Sequence, residues 1–89
     1  MLKEACVENF TNVPGVIERG AKRIELCDNL AVGGTTPSIG VIKIAAEYCS
    51  DKDVSIIVIL RPRGGDFVYS LMEKAIMMRD LEEIIVLQA

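Results

Sequence analysis

The sequence predicts a parallel α/β fold, read as the first three strand–helix units of a TIM-type (β/α)8 barrel. Three observations carry this reading. Strand-like and helix-like periods alternate as strand, helix, strand, helix, strand, helix, an order that requires parallel strands joined by right-handed crossovers. The stretch Val54 to Leu60 is almost wholly apolar, as a strand covered on both faces must be. The 89 residues are roughly a third of the about 250 that a complete barrel takes, and Ala89 falls where a fourth strand is due. A single domain over 1–89, the N-terminal part of a longer barrel, is the expectation.

Each element has a local reason. Lys3 to Asn9 alternates, with Ala5 and Val7 on one face and Glu4, Cys6 and Glu8 on the other. Asn9 or Thr11 is the expected cap of the next helix, with Pro14 in its first turn and Val13, Val16 and Ile17 as its stripe. Gly20 is placed to end it in a left-handed turn. Arg23 to Asn29 repeats the strand pattern, with Ile24 and Leu26 against Glu25, Cys27 and Asn29. The loop Leu30 to Pro37 follows. Ser38 then opens a helix to about Cys49, with Ile42, Ala45, Ala46 and Cys49 as its stripe. After the Val54 to Leu60 strand, a third helix begins near Ser70. Met77, Leu81, Ile84 and Ile85 form its apolar side, and Glu73, Asp80, Glu82 and Glu83 its solvated side.

The composition narrows the function classes. Thirteen acidic residues against ten basic ones give a net charge of −3, which argues against a nucleic-acid binder with a clustered basic face. The longest apolar run, Ile56 to Leu60, is far below the roughly 20 residues of a membrane span. Met1-Leu2-Lys3-Glu4 lacks the shape of a signal peptide. A soluble cytoplasmic protein is expected. The three cysteines are odd in number and include no Cys-x-x-Cys pair, so reduced thiols fit better than a disulfide framework. Histidine is absent.

If the apolar strand faces lie under the helices, Glu4, Cys6, Glu8, Glu25, Cys27 and Asn29 point into the barrel. Function in this architecture sits at the C-terminal strand ends, where Cys6, Glu8, Cys27, Asn29, Arg61 and Arg63 fall. Strands about 4.8 Å apart would let Cys6 and Cys27 share one ion if their register were level. Soft thiolates without imidazole favour Cu(I). The plainer reading is that both are small apolar fillers, as Cys49 is on its helix stripe. Arg61 and Arg63, beside the backbone amides of Gly64 and Gly65, form a candidate grip for a phosphate or carboxylate. Gly33-Gly34-Thr35-Thr36 leads into a helix N-terminus, a second anion-friendly feature. The plainer reading is that the arginines neutralise Glu4, Glu8 and Glu25. Glu8 and Asp66 are the candidates for moving protons, and Tyr69 is placed to pack over the site. No catalytic nucleophile–base pair, phosphate loop or dinucleotide fingerprint is present.

Arg23-Ile24-Glu25-Leu26-Cys27 and Gly33-Gly34-Thr35-Thr36-Pro37-Ser38-Ile39-Gly40 resemble the CutC copper-homeostasis family. Arg61-Pro62-Arg63-Gly64-Gly65-Asp66-Phe67 with Tyr69, and Glu4-x-Cys6, resemble two more of its segments, so the likeness spans essentially the whole chain. Leu71 and Gln88 depart from the family pattern. The resemblance implies a cytoplasmic TIM-type barrel more than twice this length, often a homo-oligomer. It also implies a role in copper homeostasis, with Cu(I) bound by Cys6 and Cys27. The alternative is a barrel enzyme whose two arginines grip a small anionic metabolite. Three strands alone leave an open edge, so self-association or partial order of this chain is expected.

Overall fold

The computed structural model describes residues 3–88. Met1, Leu2 and Ala89, including the expected start of a fourth strand, lie outside the described residues. The elements are β1 (Glu4–Glu8), α1 (Val13–Glu18), β2 (Arg23–Cys27), α2 (Ile39–Cys49), β3 (Ser55–Val58) and α3 (Leu71–Gln88). A short 3-10 turn, Leu30–Val32, lies within the expected loop. The strands form one parallel sheet in the order β1-β2-β3. The alternation expected from the sequence is therefore the architecture of this segment.

The apolar strand faces lie under the helices. Val7 pairs with Leu26, Ile24 with Ile56, and Leu26 with Val58. Ile24 and Leu26 are fully buried, packed with Val7, Val13, Ile42, Ala45, Cys49 and Ile84. Each large aliphatic side chain withdrawn from water in this way contributes about 1.5–3 kcal/mol, and this layer fixes which strand face points the other way.

Local chemistry sets the boundaries. Ser38 caps α2 by accepting a hydrogen bond from the Val41 amide at 3.2 Å. Gly20, at φ +98°, turns the chain out of α1. Asn12, not Asn9 or Thr11, sits at the cap of α1, and its side chain makes no capping bond. Asn9 instead adopts a left-handed φ of 64° and closes on its neighbour, its side-chain oxygen accepting from the Phe10 amide at 2.7 Å.

Two burial expectations need correction. β3 is not covered on both faces: Ile57 is 45% exposed, because it shares the inner face with Glu25, its partner in register. On α3 only Ile84 of the expected stripe is buried, while Ile85 is 60% exposed. Leu71 and Met72 at the start of that helix stand in the open as well. The helix packs on α2 through Ile84 and Leu87, while Ile76, Met78, Ile85 and Val86 are exposed.

Candidate functional site: a thiol pair and a guanidinium junction at the strand ends

The inner face of the sheet carries Glu4, Cys6 and Glu8 from β1, and Arg23, Glu25 and Cys27 from β2. Their register is not level. Cys6 stands opposite Glu25, and Cys27 opposite Glu8. The cysteines are diagonal neighbours, yet their sulfurs lie 3.9 Å apart. Cys6 is exposed and Cys27 is fully buried, and both are free thiols.

Cys27 donates its thiol hydrogen to the Val7 carbonyl at 3.4 Å, which leaves Cys6 to donate across the pair. Burial pushes the Cys27 thiol up to about 12, helped by the adjacent Cys6 and by the charges of Glu25 and Glu8. The proton is thus held at neutral pH by an enclosure that disfavours the thiolate. A disulfide does not suit the pair. A two-residue offset, at about 3.3 Å per residue between strands about 4.8 Å apart, separates the Cα atoms by about 8 Å. A disulfide spans at most about 7 Å without backbone movement.

The cover over Cys27 is the segment that follows β2. Asp28 and Thr35 exchange two backbone hydrogen bonds, 2.9 and 2.7 Å long, so the chain folds back on itself. Asn29 sits in the left-handed region at φ 50°, and its side-chain amide donates to the Thr35 hydroxyl at 2.9 Å. Glu8 closes the near end, accepting from the Leu30 amide at 2.9 Å. Gly34 rests on the thiol: a Cβ built there would lie 3.6 Å from Cys27 Cβ and 3.8 Å from its Sγ.

The arginines do not neutralise Glu4, Glu8 and Glu25. Glu4 pairs instead with Arg23, its cross-strand partner, at 3.5 Å. The Arg61 Nη1 donates to the carbonyls of Val32 and Gly34 at 2.6 and 3.0 Å, and Nη2 to that of Gly65 at 3.0 Å. The Phe67 ring lies 4.9 Å from this guanidinium. Arg63 donates to the Gly64, Asp66 and Val68 carbonyls, to the Asp66 carboxylate and to Glu73. Tyr69 stacks on Arg63, with the ring centre 5.1 Å away. The forks expected to be open to an anion thus hold the chain's own acceptors through both Nη atoms of Arg61 and all three nitrogens of Arg63. Arg61 Nε is buried and unpartnered among the described residues, and Asp66 is an anchor for Arg63.

Glu73 corrects a further expectation. It belongs not to a solvated helix face but to the Arg63 junction, and Arg63 holds its carboxyl below the usual carboxylate range. Ser70 and Glu73 also form a reciprocal cap: the Glu73 amide donates to Ser70 Oγ at 3.1 Å, and the Ser70 amide to Glu73 Oε1 at 2.9 Å. The Ser-x-x-Glu spacing of 70–73 is the signal that would have found it. Thr36, read from the sequence only as part of an anion-friendly segment, accepts from the Arg61 amide at 2.8 Å through its hydroxyl.

Fold and site together define a class: a parallel α/β segment whose inner face brings two free thiols together at adjacent strand ends. The CutC family model matches residues 1–89, and the chain belongs to the CutC family. It is 58% identical over 83 residues to a CutC family protein of Enterococcus faecalis, covering 93% of this chain and 40% of that protein. It is 41% identical over 80 residues to a human protein named a copper homeostasis protein cutC homolog, covering 90% of this chain and 28% of that one. A crystal structure of a CutC protein from Streptococcus agalactiae superposes with a TM-score of 0.93 at 48% identity, over 100% of this chain and 42% of that one. The chain therefore spans well under half the length of these relatives. Among the described residues no helix is long and apolar enough to cross a membrane.

Proposed function

We propose that the protein serves copper homeostasis by binding Cu(I) between Cys6 and Cys27. The observation that carries this is the 3.9 Å separation of the two sulfurs. Two thiolates about 2.3 Å from one metal lie about 3.8 Å apart at a tetrahedral angle and about 4.6 Å apart when collinear, so the pair needs only a small spread to admit an ion. The donor set suits a soft cation content with few ligands. Thiolates select such metals, and among the described residues no group of three or more His, Cys, Asp or Glu side chains is set to hold one. The relatives named for copper homeostasis point the same way.

In this reading the segment is the N-terminal part of a closed eight-stranded barrel working in the reducing cytoplasm, as one copy in a homo-oligomer. Later strands would pair with β3 and cover Ile57. The anionic-metabolite alternative loses ground, because the Nη groups of Arg61 and all three nitrogens of Arg63 are engaged within the chain.

Anaerobic titration with Cu(I) against a bicinchoninate competitor tests the proposal. One equivalent should bind, and the Cys6→Ser, Cys27→Ser double variant should lose at least about a hundredfold in affinity, roughly 2.7 kcal/mol. Equal binding by parent and variant would sink it.

A further inference from the structure

The geometry points to Arg61 as a positioning residue for the thiol pair: its guanidinium latches the 29–36 loop over the Cys27 sulfur and leaves the Cys6 side as the way in. The two cysteines share one face of one sheet, but Cys6 is exposed and Cys27 is not. What separates them is this loop, with Gly34 seated against Cys27.

The Asp28–Thr35 and Asn29–Thr35 bonds close the base of the loop, and Glu8 holds its near end at Leu30, but none of these ties its tip, Val32 to Gly34, to the chain after β3. Val32 is half exposed, and the segment turns through left-handed backbone at Asn29, Gly33 and Gly34. Arg61 supplies that tie at the tip. Through Nη1 it takes the Val32 and Gly34 carbonyls, one on each side of Gly33. Through its own backbone it takes Thr36: the Thr36 amide donates to the Arg61 carbonyl at 2.9 Å, and the Arg61 amide donates to the Thr36 hydroxyl at 2.8 Å. Its other end is fixed to the chain after β3 by the Gly65 carbonyl and the Phe67 ring.

The residue types fit the task. A planar fork with five donors reaches acceptors on two loops at once, whereas a lysine ammonium is a single point on a flexible stem. Gly33 is needed for the approach, since a Cβ there would lie 2.9 Å from Arg61 Nη1. Opening the latch would free Gly34 from Cys27 without moving β1 or β2, and would change access to the thiol rather than its place.

Site-resolved alkylation with iodoacetamide, followed by mass spectrometry, tests this without any metal. Cys49, the last residue of α2, lies in the core at 4% exposure and reports global opening. In the parent, Cys6 should label first. Arg61→Gln should speed labelling of Cys27 at least about tenfold with Cys49 unchanged, the pattern of local rather than global opening. Arg61→Lys should fall between. Thr36→Val removes only the hydroxyl tether and should give a smaller gain at Cys27, again with Cys49 flat. No gain at Cys27 in any variant, or gains only in step with Cys49, would overturn the assignment. The inference builds on the thiol-pair reading but fails separately from it: the latch is judged by alkylation, and the metal by the bicinchoninate titration.

Discussion

The ends of β1 and β2 and the chain leaving β3 lie side by side at the same end of the sheet, and they treat their polar groups differently. At the first, the Cys6 sulfur has Cys27 as its hydrogen-bond neighbour, and Cys27 has Cys6 and one backbone carbonyl. At the second, Arg61 and Arg63 face a set of carbonyls, two carboxylates and two aromatic rings. Sulfur is a weak hydrogen-bonding group, and its contacts are lost at small cost when a metal arrives. A guanidinium already engaged by its own chain gives up charge-assisted bonds to any anion that displaces them. In the proposed reading, residues of obvious chemical promise at a strand end divide into those that would bind the metal and those that build the site around it.

The sharpest way to break this comparison is through pH. A metal takes the thiolate, so binding must release the proton that burial holds on Cys27 up to about 12. Lowering the pH opposes that release. Cu(I) affinity should therefore rise with pH, by about tenfold per unit for this one proton and about a hundredfold from about pH 6 to about pH 8. Competitor titrations across that range measure the slope. Cys27→Ser should reduce it by one proton, whereas Arg63→Lys should leave it alone. A slope that is flat in the parent would mean that Cys27 is not a ligand.

Gly34→Ala sharpens the comparison at the boundary between the two regions. The position has φ +95°, and a Cβ would meet Ile59 Cδ1 at 3.1 Å as well as Cys27. Left-handed backbone costs a side chain about 1–2 kcal/mol, and the methyl group would crowd Ile59 while only touching Cys27. Chemical denaturation should show a loss of about that size. Unchanged stability would mean that the loop is not held in this left-handed conformation against Ile59.

The sheet was legible in the sequence because its signals are local and redundant. The period of two in Glu4–Glu8 and Arg23–Cys27 gives the faces, and Ser38 and Gly20 mark helix ends by their own chemistry. The thiol pair was legible only as a possibility of register, since adjacent strands do not reveal their offset. The two-residue stagger that sets Cys6 opposite Glu25 is a property of the assembled sheet. Arg61 was misjudged because its acceptors are backbone carbonyls of loops, which every residue carries and no residue type advertises, and Arg63 because its carboxylate partners, Asp66 and Glu73, were read as a proton carrier and a solvated helix face. Cys27 and Ile57 share a face but differ in burial, because the 29–36 loop covers only the first.

The smallest effect expected tests the scaffolding half of the comparison. Ser70→Ala removes the hydroxyl that accepts from the Glu73 amide, one half of the cap that starts α3. Loss of such a cap costs about 1 kcal/mol, which in a domain of this size lowers Tm by about 4–8 °C. Glu73 would keep its contact with Arg63, and Arg61 its hold on the loop, so the sulfurs should not move. Thermal melting should therefore register the variant while Cu(I) affinity stays at the parent value. A fall in affinity that accompanied the fall in Tm would mean that the chain after β3 contributes to binding directly, and the division between the two regions would fail.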